Sequence, residues 1–250
     1  MVIFKTRLLY LPAICGIIEK EKLEQSREGK GLKEKKYNAG DFILAILCSL
    51  TIICLAVSIT VWFRPVYYLD MKLLDIPEES GYSEEICRRN YDVLIDYNII
   101  GGPSELKFPD MQMSESGRIH FEEVRRIFIF TQVEALAGIA VLAAVYLRKR
   151  KKSWMHLTGF VTAAIAAAVL LAIVIDWEWT FETMHGLLFD NDYWLFNSKT
   201  DPVIKILPEE FFMHCGIMII GLTAAFTSGL EILYRRKRKY GKAWLQSFVF

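Results

Sequence analysis

The chain is poor in the residues from which common catalytic and metal centres are assembled. It holds four histidines with no His-x-x-x-His pair, and five cysteines with no Cys-x-x-Cys pair. Spacings of that kind carry most zinc sites, so a compact metal centre has no strong signal here. No Gly-x-Ser-x-Gly elbow and no Ser/His/Asp arrangement is visible, which argues against a serine acyl-enzyme. Excess charge is missing too: Lys and Arg total 30 and Asp and Glu total 29, a formal net charge of +1. With no basic groove, nucleic acid is excluded as the main partner. Internal repeats are absent. So is a disulfide framework, because Cys48, Cys54 and Cys215 fall in apolar runs, Cys15 lies near the N-terminus, and Cys87 stands alone in a polar segment.

Long hydrophobic runs, by contrast, are abundant. Phe42–Phe63, Ile127–Leu147, Trp154–Ile175 and Phe211–Tyr234 are each long and predominantly apolar. A hydrocarbon core about 30 Å thick needs roughly 20 helical residues, and all four runs supply them. Backbone groups in lipid must be satisfied internally, so segments of this kind are helices. The charges between the runs alternate in sign. Residues 1–40 carry 9 basic and 5 acidic side chains, Arg148–Lys152 reads RKRKK, and the tail after Tyr234 holds 6 basic and none acidic. Residues 64–126 hold 8 basic and 13 acidic, and residues 176–210 hold 2 and 8. If four helices cross in order, every basic block falls on one side, which is the cytoplasmic one.

The expected protein is therefore an all-α polytopic protein of the cell membrane. It has a cytoplasmic extension at 1–40, spans at 42–63, 127–147, 154–175 and 211–234, a cytoplasmic turn at 148–153 and a cytoplasmic tail at 235–250. The segments 64–126 and 176–210 face outside. Leu8–Ile18 is apolar but too short to span and is followed by no cleavage site, so it is read as part of the extension. The first outer segment is long enough to form a small domain. Val66–Tyr68, Tyr91–Ile95 and Ile99–Ile100 are β-branched or aromatic and flank turn signals such as Gly101–Gly102–Pro103, while Ser83–Asn90 looks helical. These features predict a small mixed α/β extracytoplasmic cap.

Two of the four histidines fall on the outer side near the membrane boundary. His120 stands in GRIHFEEVRR just before the second span, and His185 in FETMHGLLFDNDYWLF of the second outer segment. Imidazole takes and returns a proton near neutral pH, so this pair could move a proton between a lipid-linked nucleophile and a leaving group. Glu123 follows His120 by three residues and could hold its far ring nitrogen. The bland alternative is two ordinary polar loop residues. A zinc site from His120, Glu123 and His185 is another, with little support in the spacing. His156 fits an interfacial residue at the cytoplasmic end. His214, one turn into the last span, fits an interfacial or a functional residue equally. Trp177, Trp179, Tyr193 and Trp194 suit an aromatic belt at the headgroup level. The polar residues dense among the second segment's aromatics suit a surface that binds headgroups and esters.

The second segment, DNDYWLFNSKTDPVIKILPEEFF with MHGLLF upstream, resembles the bacterial family of four-span proteins that includes the lipoprotein intramolecular transacylase. GRIHFEEVR resembles that family's first histidine motif, and the layout of spans and loops fits over roughly residues 38–235. Ser198 departs from the commoner form, which has proline there. The resemblance implies an acyltransferase that acts on diacylglyceryl-modified lipoproteins within membrane lipid. It moves the sn-2 acyl chain onto the cysteine α-amino group and leaves an N-acyl, S-monoacylglyceryl lyso-form. It also implies His120 and His185 as catalytic residues, with Arg118, Glu123, Asn191, Asp192, Tyr193 and Trp194 as substrate contacts. No cofactor, metal or covalent acyl-enzyme is implied. A non-catalytic membrane scaffold or accessory subunit is the competing class. A transporter built on Glu134 and Glu231 is a third, with a single midspan carboxylate behind it.

Overall fold

The computed structural model describes residues 37–148 and 152–246. The chain divides between Asn38 and Ala39, and the second unit is the one described below. Leu8–Ile18, Cys15 and positions 149–151 of the basic turn lie outside the described residues. The elements run α1 (Ala39–Trp62), α2 (Pro65–Leu73), α3 (Ile76–Ser80), α4 (Glu84–Tyr97), α5 (Glu115–Arg148), α6 (Ser153–Ile175), α7 (Trp177–Leu188), a 3-10 turn (Pro202–Ile206) and α8 (Glu209–Gln246). Four of them, α1, α5, α6 and α8, are long and apolar enough to cross a membrane.

α1 is the centre of the bundle. It packs against α5, α6 and α8, and α6 packs against α8. Its sequence explains this position, because apart from Asp41 and Ile52 its buried residues are small or hydroxylic: Ala45, Cys48, Ser49, Thr51, Cys54, Ala56, Ser58 and Thr60. Small side chains let helix backbones approach where no hydrophobic effect drives them together. The Ser49, Ser58 and Thr60 hydroxyls each donate to the carbonyl four residues back, so none is buried without an acceptor. At the contact with α5, a Cβ on Gly138 would stand 2.1 Å from the Thr51 hydroxyl oxygen. Thr51 Oγ1 also lies 3.0 Å from Glu134 Oε1, which ties this midspan carboxylate to helix packing. Large apolar side chains such as Phe160, Leu171, Val174 and Ile232 face outward, as lipid contact requires.

The cap is helical, and no strand occurs among the described residues, so the expectation of a mixed α/β cap is corrected. Val66–Tyr68 lies in α2 and Tyr91–Ile95 in α4. The cause is periodicity. Cys87, Tyr91, Leu94 and Ile95 are buried at helical spacing, and Ser83 caps the helix by accepting from the Ile86 N–H at 3.3 Å. Amphipathic period and a cap outweigh the β-propensity of single residues. The helix ends at Tyr97 with Asn98 as its C-cap, and Gly101–Gly102 shape the turn that follows instead of turning a hairpin. Gly101 takes φ +82°, and a Cβ on Gly102 would fall 1.9 Å from the Asp96 carbonyl oxygen.

The cap core joins both outer segments. Tyr67 stacks on Tyr91 at 3.8 Å between centroids, and both meet the edge of Phe211 at the start of α8. The Tyr67 hydroxyl donates to the Ile206 carbonyl at 2.9 Å. Arg64, between α1 and α2, pairs with Asp92 and Asp96 of α4 at 3.0 and 2.5 Å. Four described cysteines, Cys48, Cys54, Cys87 and Cys215, carry free thiols, and Cys87 is fully buried in this core.

Gly138→Ala should lower the melting temperature in detergent, because over-packing of a close contact costs about 1–3 kcal/mol. Adding Thr51→Ala should restore part of the loss. Thermal unfolding of the two variants beside the parent checks both, and an unchanged melting temperature in Gly138→Ala would refute the close-packing account.

Candidate active site

The site starts at the first turn of α5. Ser114 donates its N–H to Asp201 Oδ1 at 2.7 Å, and Gly117 donates its N–H to the Ser114 hydroxyl at 3.0 Å. A helix start offers unpaired N–H groups and positive potential, so a carboxylate is stabilised there. Asp201 comes from the second outer segment and is almost fully buried. Its other oxygen accepts from the Thr200 hydroxyl at 2.7 Å, and Gln112 donates to the Lys199 carbonyl. A Cβ on Gly117 would sit 2.3 Å from Asp201 Oδ1, so only glycine admits this seat. The KTD stretch, Lys199–Asp201, thus fixes the helix one turn before His120.

α7 delivers the second histidine. Asp176 caps it by accepting from the Trp179 N–H at 2.9 Å, and His185 lies in its last turn. The two imidazoles meet with ring centroids 6.1 Å apart and planes tilted by 30°. Both are buried, at 5% and 9% exposure, so water has little access to either. Aromatic rings surround them. Phe196 lies 5.4 Å from His120, Phe181 4.3 Å from His185, and Trp194 stacks on His185 at 4.6 Å. Phe189 touches both.

The two rings differ in hydrogen bonding. His185 Nδ1 lies 2.8 Å from the Phe181 carbonyl, which can only accept. The proton is therefore on Nδ1, and Nε2 carries a lone pair. Burial holds the His185 pKa below its ordinary 6.5 and outweighs the opposite pull of that carbonyl. His120 Nδ1 is buried with no partner.

Glu123 does not hold the far nitrogen of His120, which corrects the expectation drawn from spacing. Its two oxygens accept from Asn191 Nδ2 at 3.0 and 3.2 Å. Asn191 Oδ1 in turn accepts from the Tyr193 N–H at 3.0 Å, an Asx turn that fixes the approach to Trp194. Trp194 is thus brought to the histidine pair, and Glu123 and Asn191 are brought to each other. Arg118 instead pairs with Glu115 at 2.5 Å and with Glu122 along the surface of α5. Asp192 and Tyr193 expose their side chains. Among the described residues, no three His, Cys, Asp or Glu side chains converge as metal ligands. His214 binds Asp70 of α2 at 2.9 Å and braces the cap, and His156 binds Glu231 at 2.9 Å.

Several site residues escape the sequence reading. Phe181, Phe189 and Phe196 form the walls, and Gly117 and Asp201 form the seat of α5. Phe181 was legible in principle, four residues before His185 on one helical face. That required reading Trp177–Leu188 as a helix capped by Asp176.

Asp201→Ala should lower the melting temperature, because lost caps and unpaired buried donors each cost about 1–2 kcal/mol. Asp201→Asn keeps an acceptor oxygen and should recover part of it. Thermal unfolding checks the order, and an unshifted Asp201→Ala protein would refute the seat.

Known proteins share this fold. The family model described as lipoprotein intramolecular transacylase Lit matches residues 42–212. The solved structure of the membrane integral lipoprotein intramolecular transacylase Lit from Bacillus cereus aligns with a TM-score of 0.75 at 33% identity, over 81% of this chain and 98% of that one. A variant of that protein with one histidine replaced by arginine gives 0.72 at 31% identity, over 90% and 99%. A variant with a histidine replaced by alanine gives 0.72 at 32% identity, over 81% and 94%. A search of curated proteins found no match.

Proposed function

The chain belongs to the family of the lipoprotein intramolecular transacylase Lit, and from that premise we propose that it transfers an acyl chain within one lipoprotein molecule. The substrate is a lipoprotein whose N-terminal cysteine carries a diacylglyceryl thioether. The sn-2 chain moves to the cysteine α-amino group, and the product is the N-acyl, S-monoacylglyceryl lyso-form. The observation that carries this reading is the buried pair of imidazoles, 6.1 Å apart, from two separate outer segments.

The roles follow from the ring nitrogens. His185, with its proton on Nδ1, presents Nε2 as the base that takes a proton from the α-amine as it attacks the ester carbonyl. His120 Nδ1 has no donor or acceptor nearby, and a buried lone pair left empty is more easily tolerated than a buried N–H. The proton then belongs on Nε2, where it can polarise the carbonyl or protonate the departing glycerol oxygen. Transfer is direct, and holding both groups in one pocket supplies the proximity advantage. Glu123 and Asn191 hold the loop that carries Trp194 against His185. The half-buried Arg118 and the exposed Asp192 and Tyr193 contact the lipoprotein polypeptide or headgroups at the rim. The site faces outside and both termini face the cytoplasm, as the basic blocks favour.

Expression in a bacterium whose lipoproteins lack N-acylation tests the reaction. The N-terminal tryptic peptide of one lipoprotein should carry the N-acyl, S-monoacylglyceryl form by mass spectrometry. An unchanged diacylglyceryl cysteine with a free amine would favour a non-catalytic membrane protein. His120→Ala and His185→Ala should each lower the rate by about 10²–10⁴-fold, the usual worth of general acid–base catalysis. The pH dependence has a definite sign. His185 is a neutral base down to below pH 6.5, whereas a free α-amine has a pKa of about 7.7–8.0. The rate should therefore rise from about pH 6.5 to about pH 8 as the amine loses its proton. A rate that falls over that range would rule out His185 as the base.

A further inference from the structure

Phe189 stands against both histidines at once, with its ring centroid 4.7 Å from His120 and 5.7 Å from His185. It is itself buried. It is the first residue after α7, in extended backbone, and its N–H donates to the His185 carbonyl at 2.9 Å. The chain thus leaves the helix in a way that folds this ring back over the histidine that precedes it. Phe181 and Trp194 cover the remaining face of His185, and Phe121 and Phe196 that of His120.

The imidazoles alone do not choose an acyl acceptor. A base able to take a proton from an amine can also take one from water, and water is the ester's other ready nucleophile. A water molecule occupies about 30 Å³ of liquid volume and needs two to four polar partners to settle in a protein interior. The partners are present, because His120 Nδ1 is buried and unpaired and the lone pair of His185 Nε2 is free of any fixed donor. The ring of Phe189 stands beside both imidazoles, where such a water would have to sit.

We propose that Phe189 determines acceptor specificity: by filling the space beside both imidazoles it excludes water, and so keeps this protein a transferase and not a lipoprotein hydrolase. The proposal rests on the transacylase reading above. In transfer, the amine nitrogen bonds to the acyl carbon, the acyl carbon–glycerol oxygen bond breaks, and the amine proton ends on the glycerol oxygen. In hydrolysis, water oxygen bonds to the acyl carbon, the same ester bond breaks, and one water proton ends on the glycerol oxygen. The hydrolytic products are a free fatty acid and a monoacylglyceryl cysteine with its amine still free. Mass distinguishes that cysteine from the N-acylated lyso-form.

The test uses full-length protein in detergent micelles with a synthetic diacylglyceryl-cysteine peptide. Mass spectrometry reads the hydrolysed and transferred products of the parent, Phe189→Leu and Phe189→Ala. The ratio of the two products does not depend on how much of each variant is folded. Phe189→Ala should raise hydrolysis over transfer by at least about tenfold, a change of about 1.4 kcal/mol between the two barriers, and Phe189→Leu should fall between. A ratio in Phe189→Ala equal to the parent's overturns the proposal. Should Phe189→Ala make neither product, the Phe189→Leu ratio decides, and an unmoved ratio there overturns it equally. A parent that makes neither product from this peptide removes the transacylase reading, and this inference with it.

Discussion

Asp201 carries a carboxylate out of water and sets it on the first turn of α5, where Ser114 meets it with a backbone N–H and Gly117 leaves room for it. The arrangement depends on three sequence choices at once. Glycine must stand at 117, an acid must stand at 201, and the helix must start where its free N–H groups point at that acid. With the seat in place, the second outer segment is anchored to the helix that bears His120. The same segment then turns back through Phe196, Trp194 and Asn191 to the last turn of α7, where His185 sits. The pairing of two histidines far apart in the chain follows from this closure.

The seat is assisted by the cap core. Tyr67, Tyr91 and Phe211 form an aromatic centre within the cap that joins α2, α4 and α8. Asp70 and His214 form a second tie between α2 and α8. These contacts fix where α8 begins, and hence where the chain that leads to it from Asp201 must end. The bundle supplies the rigid base, with α1 at its centre because its small and hydroxylic residues let three other helices approach.

What the sequence disclosed, and what it did not, divides along the range of the forces involved. The spans were legible because a bilayer imposes one length and one composition on every crossing segment. His120 and His185 stood out because few histidines are present and two share one side of the membrane. The helical cap was misread because Val66–Tyr68 and Tyr91–Ile95 look like strands when taken a few residues at a time, and only the burial of Cys87, Tyr91, Leu94 and Ile95 on one face reveals the helix. Glu123 was assigned to the wrong partner for a related reason. Helical spacing places it near His120, but a side chain from another segment, Asn191, competes for it. Asp201 lies in the KTD stretch and yet carries no local mark of its function, since the Ser114 N–H that it accepts from is 87 positions away. Contacts of that range are invisible to periodicity.

α5 is a single helix of 34 residues, about 51 Å from end to end, whereas the hydrocarbon is about 30 Å thick. Its apolar stretch begins at Ile127, so His120 rides seven residues above it, at about 10 Å along the axis. Glycerol esters lie in the interfacial layer of a bilayer, a few ångströms outside the hydrocarbon. On the proposed reaction the helix works as a depth gauge that holds His120 just outside the hydrocarbon, on the side where an ester is found. The acyl chains would then not leave the lipid for their ester to be reached, and the polypeptide attached to the cysteine would not have to enter it. Bilayer thickness then becomes a variable of the chemistry. A thicker membrane raises the ester relative to a gauge of fixed length, and a thinner one lowers it.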